Sequence, residues 1–313
     1  MSLFRAVRAV ADSGGDGPVD WNAVGTAARA GTDPGELALT AVDRDGYARD
    51  VSDARASIRD ASGVDFDLPD TIEVQNRHHW IDANVETFER LLAPLETKAA
   101  LAPSLARAAN TGSMAVTLGF LANNVLGQYD PLLLSDGEHG LYFVHPNIVT
   151  VAEALDVDRD RFRRWIAFHE VAHAAEFGAA PWLTTHLESR MENVMTELTA
   201  GRFDRGLLTE LNVTMTAVEG YAELVMDRAF DQEYADLREK LEDRRRNVGP
   251  VSQLIRHLLG FGMKRQQYER GKSFFDAVAD ERGIEGAAAV WEHPENLPTD
   301  EELDSPELWL RRV

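Results

Sequence analysis

The chain has 313 residues, is 44% hydrophobic, carries no cysteine, and sets 53 acidic against 32 basic residues for a net charge of −21. These figures exclude disulfides and cysteine-ligated metal, and the lack of any apolar run of about 18 residues argues against a membrane-spanning helix. A soluble, globular protein is expected, whose acidic surface repels nucleic acid and anionic membranes.

Residues 1–18 are expected to be a loose start that ends in the Gly/Asp/Pro stretch Ser13–Pro18. They show no charged-then-apolar leader, so a cytoplasmic location is expected. Residues 19–62 read as two or three short helices, broken at Gly31–Gly35 and at Gly46. A loop follows over Gly63–Pro69. Trp80, Ile81, Val85, Phe88, Leu91 and Leu92 then recur at helical spacing over 76–93. His78 and His79 open that helix but point about 100° apart, a poor arrangement for a ligand pair. Pro94 starts a helical run to about Asn110, and the small apolar residues 111–126 read as a buried helix closed by Gly127.

Residues 131–148 change character. Pro131–Ser135 and Gly140–Val144 flank Asp136-Gly137-Glu138-His139, a β-hairpin signal in an otherwise helical chain. An open strand edge there would be able to pair with an extended peptide. The expected organisation is an N-terminal helical region over 19–130 and a catalytic region over 131–313, together one compact two-lobed unit.

Phe168-His169-Glu170-Val171-Ala172-His173 places His-Glu-x-x-His inside a strongly helical segment. Histidines four apart lie one turn above each other on one helix face, so both imidazoles reach one metal ion, most often zinc. Asp156, Asp158 or Asp160 is placed to cap the helix start, and Gly178 followed by Pro181 to end it. Phe162, Trp165, Ile166 and Ala172 share the buried face with the histidines. Glu170 is placed to take a proton from a metal-acidified water.

Past that helix, residues 183–200 and 206–230 read as two more. The second carries Leu208, Leu211, Met215, Val218, Ala222, Val225 and Ala229 in alternating steps of three and four. Gly220 interrupts that stripe at a cost of roughly 1 kcal/mol against alanine, which indicates a second backbone close by. Residues 235–247 read as a charged, solvated helix. Residues 250–282 read as two helices split near Gly260–Gly262, and the acidic tail from Trp291 is expected to wrap the surface.

A catalytic zinc usually keeps three protein ligands and one open position. A third histidine six residues after the second is excluded, because Ala179 stands there. Glu219-Gly220-Tyr221-Ala222-Glu223 offers two carboxylates one turn apart: Glu219 as ligand, with Glu223 holding the outer ring nitrogen of His169 or His173. Glu176, one turn past His173, competes as third ligand, and His186 is a further candidate. Tyr221, His186, His257 and Tyr268 have the chemistry to donate to an oxyanion or to contact substrate.

The chain resembles the zincin-like, zinc-dependent metalloproteases whose name associates them with coenzyme F-420 (deazaflavin) biosynthesis. The resemblance runs from about Trp21 to the C-terminus. It rests on Trp80-Ile81-Asp82-Ala83-Asn84, Leu126–Pro131, Val144-His145-Pro146-Asn147-Ile148 and Phe168–His173. Further matches are Glu219-Gly220, Met263-Lys264 with Gln267-Tyr268, and Leu297-Pro298-Thr299 with Trp309-Leu310-Arg311-Arg312. It implies a mainly α (α+β) zincin-like fold and a Glu third ligand. The family usually has Asp where this chain has Glu223.

The expected activity is therefore zinc-assisted hydrolysis of an amide bond in a peptide, with Glu170 as general base. A zinc hydrolase acting on a small coenzyme precursor, and a metal-stabilised binding protein without turnover, are the alternatives. The charge of −21, with lysine only at 98, 240, 264 and 272 and acids spread along the chain, is expected of a cytoplasm at high salt.

Overall fold

The structure is a computed structural model; it describes residues 2–14, 17–92, 103–130, 140–230, 234, 236–237, 239–240 and 264–313. It is mainly α with one small sheet, the expected class. The chain forms two compact units, each assembled from three segments: 1–39, 70–150 and 191–204 in the first, 40–69, 151–190 and 205–313 in the second. None of the described helices is long and apolar enough to cross a membrane.

In the first unit, the expected loose start is helical over Ser2–Ala11 (α1), and α2 follows over Trp21–Gly31. Asp20 caps α2 by accepting from the Ala23 backbone N–H at 2.9 Å. Strands β1 (Thr71–Gln75), β2 (Gly127–Asp130) and β3 (Gly140–Val144) make a sheet of order β1-β3-β2. The hairpin pairing is present, with Gly127 opposite Phe143 and Asp130 opposite Gly140, and its connection lies outside the described residues. β1 was not expected; it runs parallel to β3, with Thr71 opposite Gly140. β3 is central, so both sheet edges belong to β1 and β2. Its Gly-Leu-Tyr-Phe-Val run is buried at four of five positions, as a strand covered on both faces requires.

Helices α4 (Arg77–Leu92) and α5 (Pro103–Ala122) cover this sheet's unit with Trp80, Ile81 and Leu118 buried. The polar residues of the recognisable sequence blocks satisfy one another here. Trp80 Nε1 donates to Gln128 Oε1 at 2.7 Å, Gln128 Nε2 to Asn84 Oδ1 at 3.2 Å, and Asn84 Nδ2 to the Trp80 carbonyl at 2.9 Å. Buried Asn147 donates to the Ala122 and Val125 carbonyls and accepts from Arg77 Nε at 2.6 Å. Those blocks hold the unit together, since a buried amide left unpaired would cost about 1–3 kcal/mol.

The second unit is built around one helix. Helix α3 (Ala41–Ser62) opens it with a capping box in which Thr40 and Asp43 satisfy each other's backbone N–H. α3 runs straight through Gly46, where a break was expected. The reason is packing: a Cβ on Gly46 would stand 2.6 Å from the Arg163 guanidinium. Arg163 in turn donates to Asp50 at 2.6 Å, both side chains being buried, and lies over the Tyr47 ring at 5.3 Å.

Helix α6 (His145–Leu155) leads to α7 (Arg159–Ala179), the His-Glu-x-x-His helix. Of the three proposed caps it is Asp158 that accepts, from the Arg161 N–H at 2.8 Å. The sequence pattern indicates one buried face, but α7 is buried nearly all round from Trp165 to Phe177. A helix buried on nearly every side is a central helix. It packs on α3 and on α9 (Arg205–Ala229), and α9 packs on α10 (Lys264–Ala288), which kinks at Gly283. Between α7 and α9 the chain forms α8 (Trp182–Thr199). The charged 235–247 stretch and the break at 260–262 lie almost wholly outside the described residues. The tail forms two short turns and two short helices, α11 (Asp300–Asp304) and α12 (Pro306–Arg312). It is anchored rather than draped: Trp291 and Trp309 are fully buried, and Trp309 meets Phe274 edge-on at 5.6 Å.

Candidate metal centre

The centre forms inside the second unit, from α7 and α9. His169 and His173 project from one face of α7, their rings edge-to-face at 4.7 Å, as residues one turn apart require. The Trp165 ring, one turn earlier, stacks on His169 at 5.7 Å with an 8° interplanar angle. Glu219 arrives from α9 and is buried.

The depth at which α9 lies is set by glycine. A Cβ on Gly220 would stand 2.4 Å from the Gly271 carbonyl carbon, and one on Gly271 would stand 2.2 Å from the Thr216 carbonyl oxygen. The backbones of α9 and α10 therefore touch directly, the close approach that the interrupting glycine pointed to. Gly220→Ala is expected to destabilise the protein by about 2–3 kcal/mol net, since backbone cannot swing aside and overpacking outweighs the roughly 1 kcal/mol helical gain. Thermal unfolding checks the sign: a variant that melts higher would mean that the two backbones do not touch.

One candidate ligand atom from each of His169, His173 and Glu219 lies within 4.8 Å of the other two. Two metal–ligand bonds of about 2.1 Å span at most ~4.2 Å, so small side-chain adjustments complete such a set. The electrostatics fit a cation as well. Glu170, Glu176 and Glu219 are buried within electrostatic reach of His173, and Glu223 is buried on α9 one turn after Glu219. Burial opposes the charged form of His173, but the Glu176 hydrogen bond and the charges of Glu176, Glu219 and Glu170 outweigh it and raise its pKa to about 9. Burial raises Glu176 to about 7, against the pull of His173. A protein that crowds carboxylates about two imidazoles in its interior meets their desolvation cost most directly with a dication. Imidazole nitrogen and carboxylate oxygen without sulfur suit zinc.

The other site candidates separate by position. His173 Nδ1 is 2.8 Å from Glu176 Oε2, so the carboxylate on that ring is Glu176, where Glu223 was one expectation. Glu223 lies on α9 one turn after Glu219, buried at the same level. Tyr221 is buried in the aromatic core, edge-on to Phe275 at 5.4 Å and to Trp291 at 5.5 Å. Burial, then the Glu176 charge, push its hydroxyl well above the ordinary tyrosine range. His186, on α8, packs edge-on against Trp182 at 5.6 Å, and burial with the nearby Arg190 lowers its pKa. His257 lies outside the described residues, as does the side chain of Tyr268.

The sequence matches the family model described as zincin-like metallopeptidase over residues 19–205 and 194–310. A solved structure from Chloroflexus aurantiacus, provisionally designated a hydrolase with a novel fold, is 34% identical. It superposes with a TM-score of 0.78, covering 94% of this chain and 98% of its own. No curated protein matches.

Proposed function

The chain belongs to the zincin-like metallopeptidase family, and on that premise we propose that it is a zinc-dependent metallopeptidase that cleaves amide bonds. The observation that carries this reading is the convergence of His169, His173 and Glu219 from two helices onto one point. In it these three residues hold the metal. Zinc, when bound, supplies a Lewis acid and lowers the pKa of water.

The rest of the chemistry falls to the chain's own groups. Glu170 is buried next to His169, shielded enough for its carboxylate to act as base. It takes a proton from the attacking water and delivers it to the leaving nitrogen. Glu223 holds His169 in this reading, since His173 already has Glu176. A peptide or small amide is the substrate, in a cytoplasm, and neither nucleic acid nor an anionic membrane is attracted to a surface of charge −21.

Purified protein is expected to carry about one zinc per chain and to hydrolyse an unfolded protein substrate. Elemental analysis and a peptidase assay on the same preparation test this. A folded preparation with no zinc and no affinity for it would overturn the reading. The acidic surface belongs to the same proposal as a high-salt adaptation. At 0.01 M salt the Debye length is roughly 30 Å and at 1 M roughly 3 Å. Melting temperature, measured at saturating zinc, should therefore keep rising into molar KCl; a flat profile above ~0.2 M would remove the high-salt habitat and leave the metal centre as it is.

A further inference from the structure

Glu176 is the most completely buried acid of the centre, with no accessible surface. It lies one turn beyond His173 on α7, and its Oε2 is 2.8 Å from Nδ1 of that ring. Its other oxygen, Oε1, is buried without a hydrogen bond of normal geometry among the described residues, and the Ala222 backbone N–H on α9 is the further group that favours its charged form. Carboxylates are rarely placed in a core, because the desolvation cost amounts to several kcal/mol. The one strong side-chain hydrogen bond that Glu176 makes is to a ring that also belongs to the triad of converging ligand atoms.

An imidazole has two nitrogens, and whatever engages one decides which of them remains for a metal. A carboxylate on Nδ1 keeps a proton there. It leaves Nε2 as the ligand and makes that nitrogen more basic. The bond to Nδ1 also explains why Glu176, one turn past His173 and plausible by spacing as a ligand itself, falls outside the converging set. Its Oε2 is engaged by Nδ1, and the ring's other nitrogen, Nε2, makes no such contact with it.

We propose that Glu176 is a positioning residue that accepts the Nδ1 proton of His173, fixes that ring's tautomer and orientation, and leaves Nε2 for the metal. The proposal rests on the zinc reading given above, and deepens it. It separates two acids that sequence spacing treats alike: Glu219 meets the metal, whereas Glu176 acts on it through His173.

The test compares wild type, Glu176→Ala and Glu176→Gln with zinc itself as the probe. Zinc dissociation constants come from chelator competition, and the nitrogen shifts of His173 from 15N-histidine-labelled, zinc-loaded protein. Glu176→Ala is expected to weaken zinc roughly 10- to 100-fold, the usual cost of removing a residue that orients a ligand. Glu176→Gln keeps an oxygen that accepts from Nδ1 and should recover most of that loss. Wild type and Glu176→Gln should both show a protonated Nδ1 and a metal-bound Nε2. Should Glu176→Ala not fold, as judged by circular dichroism, the nitrogen shifts of wild type and Glu176→Gln decide alone. Coordination through Nδ1 would overturn the proposal. So would zinc affinity in Glu176→Ala equal to wild type, or a loss as large as that of His173→Ala, which would make Glu176 a ligand. A wild type that binds no zinc would instead defeat the metallopeptidase reading, so the two failures are distinguishable.

Discussion

Glu170→Gln is expected to leave zinc in place and to slow amide hydrolysis by about 100-fold or more, the usual contribution of a general base. The substitution keeps the shape and hydrogen-bonding reach of the side chain and removes only its capacity to take a proton. Glu170 is not among the converging ligand atoms, so occupancy should not change. A 100-fold loss corresponds to about 2.7 kcal/mol of transition-state stabilisation. The measurement is kcat on an unfolded protein substrate, with zinc content determined on the same sample. A variant as fast as wild type would take the role of base away from Glu170.

The second large effect concerns Glu219, the proposed ligand from the other helix. Glu219→Ala and His169→Ala should each weaken zinc by more than the ~100-fold that bounds the loss of an orienting residue. Glu219→Ala carries an additional signature. Without metal, Glu219 is one of several buried carboxylates that repel one another. Removing it should relieve the metal-free protein, which is expected to melt at or above the temperature of metal-free wild type. Falling affinity with unchanged or rising metal-free stability separates loss of a ligand from loss of the fold. Chelator competition and thermal unfolding in chelator supply the two numbers. Wild-type affinity in Glu219→Ala would move the third ligand elsewhere.

The parts of the centre that were legible in the sequence are those whose geometry is local or strongly constrained. His169 and His173 are one helical turn apart, and a helix fixes where such residues point whatever surrounds it. Glu219 is remote in sequence, but an acid pair beside a glycine within an apolar stripe signals both burial and close backbone approach. The division of labour between Glu176 and Glu223 was not legible. It depends on which way the His173 ring faces, a rotamer fixed by packing rather than by spacing.

The fold shows the same division. β1 pairs in parallel with a strand far along the chain, and such pairing leaves only a short alternating Thr-Ile-Glu-Val-Gln to read. Gly46 resembles a helix breaker until the Arg163 guanidinium that fills the space beside it is known. The tail has the composition of a surface strap, yet Trp291 and Trp309 find aromatic partners on α9 and α10.

The contact between Gly220 and Gly271 bears on the order in which a chain leaving the ribosome can mature. By the time residue 223 has emerged, His169, His173, Glu170 and the carboxylates of α9 are all present. Yet the backbone surface on which α9 rests is still unmade, because it belongs to α10. Since that seat is backbone against backbone, no side chain elsewhere can substitute for it. A nascent chain stopped short of Gly271 thus possesses the converging residues of α7 and α9 and lacks the surface against which the far side of α9 is seated, so the settled centre is a property of the nearly finished polypeptide.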